Sequence, residues 1–404
     1  MRLVCACLLA TVLLAQETLT QIESKAAELK ARGDPASSLA LWQKAEALNP
    51  KSALIQHEIG FLLAVLQRHR EAIEHLQRAV ALDPKLAIAQ YHLGVAYWLQ
   101  PDPDKAIAHL QSAVDLEARN FDYRFHLGHA LIATSQYPAA LTQFQVAVEV
   151  NAKHAEAWNQ LGLARQHTGD SRGAIEAYRR AIALDPADLD ARNNLGFMLV
   201  NTGHAQEGIA EFRKILAADP SINMARLNIG FAHLQKAELA SAEKEFREVL
   251  RRDPNHAVAH YDLAVTLKQR DDLEGAKAEL GRSLALDPSL SEAHYTLGII
   301  HWQSGDFAEA ANQMRAAIAL RPDYAEAHFM LGTALKQKGD LDGSEAALRS
   351  AIHFDPNDPG PYNTLGQLLR QKGDLEGSRK AFAEGAAAKQ KKEAELGRML
   401  QKKQ

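Results

Sequence analysis

The chain is short of cysteine, of aromatic residues and of net charge, and each shortage excludes something. Only two of its 404 residues are cysteine, Cys5 and Cys7. Both lie in the opening stretch MRLVCACLLATVLLAQE, too early for a lipoprotein box. If that stretch is removed, no disulfide, thiol nucleophile or zinc–thiolate site remains. Stability must then come from burial alone. Aromatic residues make up 6% of the chain. Lys+Arg 46 against Asp+Glu 50 leaves 46 − 50 = −4. That balance lacks the basic field that draws phosphates, so nucleic acid is not an expected partner. Long apolar runs are scarce as well. The run from Leu3 to Ala15 follows a single positive charge, Arg2, and falls short of the about 20 residues that span a bilayer. It reads as a secretory signal peptide over residues 1–15, with cleavage expected after Ala15 although Leu13 is large for its position. An uncleaved anchor is the alternative. The product is expected to be exported, in a bacterial periplasm or beyond, with no integral membrane span.

What the chain does have is alanine, good helix formers and glycine at regular intervals. Pro50, Pro84, Pro186, Pro220, Pro254, Pro288, Pro322 and Pro356 stand on one grid of step 34, with Ala118 and Ala152 in the gaps. A second grid carries glycine from Gly60 through Gly162 to Gly366, with Ala264 in its one vacancy. A third carries small residues, from Ala72 through Ala174 to Ser378. A fourth carries large apolar ones, from Leu76 through Tyr178 to Phe382. Ten repeats from Ala53 to Lys392 keep register without insertion or deletion.

Within a repeat the pattern is helical. In residues 155–188, apolar and small residues recur at steps of three and four. Gly169-Asp170 breaks the run in the middle and Asp185-Pro186 ends it. Each repeat is therefore two helices joined by a tight turn. A mid-helix glycine costs about 1 kcal/mol relative to alanine. The glycine grid is therefore expected to serve close approach of another helix, with the small residues of the third grid as the matching groove. One repeat cannot bury its apolar face alone, so neighbours stack and share a core.

Trp158, Leu161-Gly162, Gly169-Asp170, Ala174, Tyr178, Ala181 and Pro186 together resemble the tetratricopeptide repeat (TPR), and Tyr97 matches the family's tyrosine position. The resemblance implies an all-α, right-handed superhelical solenoid of about ten to eleven helix-turn-helix repeats. Residues 16–52 fit a degenerate leading repeat, with Gly33-Asp34, Trp42, Ala45 and Pro50 but Ala26 in the glycine slot. The array proper occupies 53–385. Residues 386–404 read as a polar capping helix of charge 6 − 2 = +4, from Lys389, Lys391, Lys392, Arg398, Lys402 and Lys403 against Glu393 and Glu395.

The resemblance also implies that the first helix of each repeat lines a concave groove that binds a protein or peptide. Residues three and two before the central glycine, one after it, and four and five after it should face that groove. Early repeats place Phe61, Tyr91, His92, Trp98, Phe125, His126 and His129 there; middle ones Asn159, Gln160, Asn193, Asn194 and Asn228; later ones Tyr261, Lys268, Tyr295, Trp302, Lys336 and Arg370. Asn201, Gln235, Gln269, Gln303, Gln337 and Gln371 form a row of side-chain amides. Amides both donate and accept, so they can pair with a peptide backbone of any sequence. Asn194 and Asn228 match inner-face asparagines of O-linked N-acetylglucosamine transferases, but Asp262, Thr296 and Met330 then hold the slot, and no transferase domain follows. The carboxylate clamp of chaperone-binding relatives is absent, since Asn193 and Phe197 flank Asn194. His92, His126 and His129 offer three imidazoles of the type that binds a metal, but the spacing supplies no completing carboxylate. No HExxH, phosphate loop or GxSxG occurs. The reading is a non-enzymatic scaffold or adaptor without cofactor or metal. Two other uses remain open: a structural component of a cell-envelope assembly, and a glycan or small-ligand binder at the aromatic end.

Overall fold

The computed structural model describes residues 19–401, and every element among them is helical. The expected signal segment lies outside the described residues, as do residues 16–18 and 402–404. Helix α1 spans 19–31 and pairs in sequence with α2, Pro35–Leu48. The first helices of the ten repeats are α3 Ala53–Val65, α5 Ala87–Leu99, α7 Phe121–Ala133, α9 Ala155–His167, α11 Leu189–Asn201, α13 Asn223–Gln235, α15 Ala257–Gln269, α17 Ser291–Gln303, α19 Ala325–Gln337 and α21 Pro359–Gln371. The second helices are α4 His69–Leu82, α6 Pro103–Leu116, α8 Tyr137–Val150, α10 Ser171–Leu184, α12 Ala205–Ala218, α14 Leu239–Arg252, α16 Leu273–Leu286, α18 Phe307–Leu320, α20 Leu341–Phe354 and α22 Leu375–Gln401. The chain divides into two compact bodies, one ending at Gly203 and the other starting at His204.

The turn chemistry explains why the helices stop where they do. Gly169 takes φ +85, and the Asp170 N–H reaches back to the Arg165 carbonyl, closing α9 in a left-handed cap. The Asp170 side chain then accepts from the Gly173 N–H at 2.9 Å and opens α10. At the far end of α10, Asp185 accepts from the Ala187 N–H at 3.0 Å, folding the Asp-Pro corner. A further link recurs six residues beyond the proline grid. His260, His294 and His328 each hydrogen-bond the carbonyl of Pro254, Pro288 and Pro322, and Arg192 donates to that of Pro186. These histidines are fixed by the fold.

The glycine grid meets the small-residue grid that its spacing suggests, and a second partner besides. A Cβ on Gly162 would lie 2.5 Å from the Tyr178 ring, and one on Gly128 2.6 Å from the Phe144 ring. The large residue of the fourth grid, sixteen positions on in the same repeat, covers each glycine. The third grid contributes backbone and hydroxyls to the same approach. Ser344 and Ser378 donate to the carbonyls of Gly332 and Gly366, each at 2.7 Å. Alanine and serine carry too few atoms to cover a bare backbone, so the large side chains of the fourth grid do it. Leu76, Leu110, Phe144 and Tyr178 are consequently buried in the first body, and Phe246, Leu280, Met314 and Leu348 in the second. At the C-terminus, residues 386–401 continue α22 without a break.

Candidate functional site

Successive first helices touch through a ladder that the repeat dictates. The side chain three before one central glycine meets the side chain two before the next, 35 residues on. In the first body His57 Nε2 lies 2.8 Å from His92 Nδ1, and the Tyr91 hydroxyl 3.2 Å from His126 Nδ1. Asn194 donates to the Asn159 Oδ1 at 3.1 Å. In the second body the Tyr261 hydroxyl hydrogen-bonds the Thr296 side chain. Asn193 and Asn228 are also engaged. Eight of the expected groove residues, Tyr91, His92, His126, Asn159, Asn193, Asn194, Asn228 and Tyr261, are thus engaged within the protein. Asn159 is 8% exposed, so its amide serves the junction between α9 and α11.

The ladder draws the early aromatics into one cluster. Phe61 and His92 rings lie 4.8 Å apart, Tyr91 and Tyr123 rings 4.8 Å, and Phe125 stands edge-on to His129 at 4.5 Å. Burial pushes the Tyr91 and Tyr123 phenols up to about 12. Burial, and then the neighbouring His57, push His92 down to about 3. Burial lowers His57 and His129 as well. His57, His92 and His129 are therefore neutral at neutral pH, and the cluster is a wall of rings. Among the described residues no group of three His, Cys, Asp or Glu is disposed to hold a metal ion. Sequence reasoning passed over His57, Phe121, Tyr123 and His154, which complete the cluster. The signal for His57 was the 35-residue relation itself.

Other predicted residues stay open to solvent. Trp98 is 39% exposed and Trp302 36%, and neither indole N–H has a partner among the described residues. Tyr295 stacks obliquely on Tyr324 at 5.0 Å. Asn201 in the first body, and Gln235, Gln269, Gln303, Gln337 and Gln371 in the second, are all exposed. None of these six amides is hydrogen-bonded among the described residues. Lys336 donates to Gln367 at 3.0 Å, and burial lowers Lys268. Asp262, in the row that holds Asn194 and Asn228, is raised to about 7 by burial.

Family models described as tetratricopeptide repeat match residues 25–86, 62–122, 125–188, 159–221, 233–298 and 295–359. The chain belongs to the tetratricopeptide repeat family. Among solved structures it is similar to yeast Tom70, at 14% identity and TM-score 0.52, over 95% of each chain. MamA is 26% identical over 41% of this chain and 97% of its own, with TM-score 0.39. YrrB, described as a TPR protein with an unusual peptide-binding site, is 24% identical over 46% of this chain and 95% of its own, with TM-score 0.44. No curated protein matches in sequence.

Proteins of the tetratricopeptide family are generally non-catalytic scaffolds. Among the described residues no helix is long and apolar enough to cross a membrane. A cleft of about 660 Å³ lies over the second tetratricopeptide helix α14, with Arg226, Glu243, Glu245, Arg247, Glu248 and Arg251 on its walls. Its carboxylates are already matched. Arg247 holds Glu243, Arg226 meets Glu245 at 3.5 Å, and Arg251 and Arg252 hold Glu248 down at about 2.

Proposed function

We propose that this tetratricopeptide protein is an exported adaptor that captures extended peptide segments of partner proteins along the first helices. The observation that carries the reading is the row of exposed, unbonded amides at 235, 269, 303, 337 and 371 beside the exposed Trp302. Hydrated amides lose little on exchanging water for a peptide backbone, and an indole takes up apolar side chains at small entropic cost. A preformed face of this kind spends little on ordering itself. The self-bonded ladder supports the rest of the face, holding the first helices at fixed spacing.

The test is photo-crosslinking in the host cell from positions 98 and 302, with position 244 on a second helix as the comparison. Products should form at 98 and 302 and be scarce at 244. Trp302→Ala should cut the yield from a probe at 269 about tenfold, a typical anchor loss, with unchanged helix content and melting temperature. Products concentrated at 244 would instead favour an assembly role through the second-helix face.

A further inference from the structure

On the row two before each central glycine, one carboxylate among the described residues has no counterpart. His92, His126, Asn194 and Thr296 each meet the side chain 35 residues earlier. Glu58, another carboxylate of the row, meets Lys30 across 2.7 Å. Lys30 stands four after Ala26, which fills the glycine slot of its own repeat. Asp262 has the same address on α15. The residue 35 earlier is Leu227, and the counterpart of Lys30 is Leu234. Both leucines belong to the apolar cluster of the second body. Neither can donate a hydrogen bond. Among the described residues no group donates to the Asp262 carboxyl and no cation pairs with it. Burial alone weakens its acidity, and its charge is felt at the Tyr261 phenol.

Taking a lone carboxylate out of water is costly, and such groups in a binding face are functional candidates. Resting on the peptide-capture reading above, we propose that Asp262 is the floor of a subsite for a lysine or arginine side chain of the bound peptide. The leucines decide the chemistry. A metal ion needs several oxygen or nitrogen ligands, and Leu227 and Leu234 supply none. A long basic side chain needs an apolar wall for its methylene stem and one acceptor for its head. That is what Leu227, Leu234 and Asp262 offer together. Unbonded Gln235 and Gln269 end the same two helices, where the peptide backbone would run.

The experiment selects random displayed peptides on three immobilised forms of the full chain: wild type, Asp262→Asn, and an amide-row variant with Gln269, Gln303 and Gln337 changed to Ala. Wild type should enrich peptides with a lysine or arginine at one shared position. Those peptides should bind Asp262→Asn about 30-fold more weakly, as when one partner of a buried charge pair is removed. Replacing the shared lysine by norleucine should then cost affinity for wild type and nothing for the variant. Leu234→Lys supplies an internal cation at the Lys30 position and should abolish the basic preference independently. Enriched peptides with no shared basic residue, or with equal affinity for Asp262→Asn, would overturn the subsite and leave peptide capture standing. If no peptide is enriched, or if the amide-row variant binds the enriched peptides unchanged, the capture reading falls and the subsite with it.

Discussion

Asp262 and His92 occupy equivalent positions on α15 and α5, and they make stability depend on pH in opposite senses. Asp262 titrates at about 7 in the folded protein, above the ordinary carboxyl range. The folded state holds that proton more tightly, so its contribution is full below pH 4 and is lost as pH rises through 7. Asp262→Asn should therefore raise the melting temperature at pH 8, by at most about 4 kcal/mol of stability, and change little at pH 4. His92 is held down to about 3, so the folded state prefers it neutral. Its contribution is full above about pH 6.5 and is lost as pH falls below that. His92→Gln, which keeps a hydrogen-bonding side chain, should flatten the loss of melting temperature between pH 7 and 5; an unchanged acid slope would refute the assignment. The two residues also mark how far single positions could be read. Asp262 stood out in the sequence as a break in an asparagine row. Its isolation became visible only with Leu227 and Leu234 opposite. His57 and Asn159 were harder still, since a side chain's use depends on what the next helix brings to it.

At the scale of the helix the reading was far more secure. Gly169-Asp170 and Asp185-Pro186 act through backbone conformation and local hydrogen bonds, which need no distant partner, so the spacing located α9 and α10. The close approach at the glycine grid was also legible. Its cover was not, because sequence spacing does not tell which side chain of a facing helix leans over a bare backbone. With Tyr178 in that role, Gly162→Leu should lower the melting temperature by an equivalent of about 1–3 kcal/mol or more, the usual toll of overpacking. An unchanged melting temperature would show that the ring can move aside. The continuity of α22 from Leu375 to Gln401 has an equally local cause. Alanine, lysine and glutamate crowd residues 386–395, and the closing proline of most other repeats is missing.

For the molecule as a whole, one period of 34 made the tetratricopeptide array legible, because a fixed step turns weak local preferences into one pattern. Partner identity carries no such period. Peptide capture therefore rests on what remains unbonded after the fold has taken its share: Trp98, Trp302 and the amide row. Export rests on residues 1–15. N-terminal sequencing of the protein recovered from its host should find Gln16 first if Ala15 is the cleavage point, and a chain starting at Met1 would sink that reading.

Two kinds of fit with different reach imply different fates under gene duplication. Gly162 is covered by Tyr178 of its own repeat, so a duplicated or deleted segment of 34 residues carries that fit with it intact. The ladder spans 35, one residue more than the segment, and is inherited only in halves. Excising residues 155–188 would bring Phe125 opposite Asn194, which would lose the acceptor Asn159 now offers. Repeats can thus be copied freely as bodies but must be reconciled at every new seam.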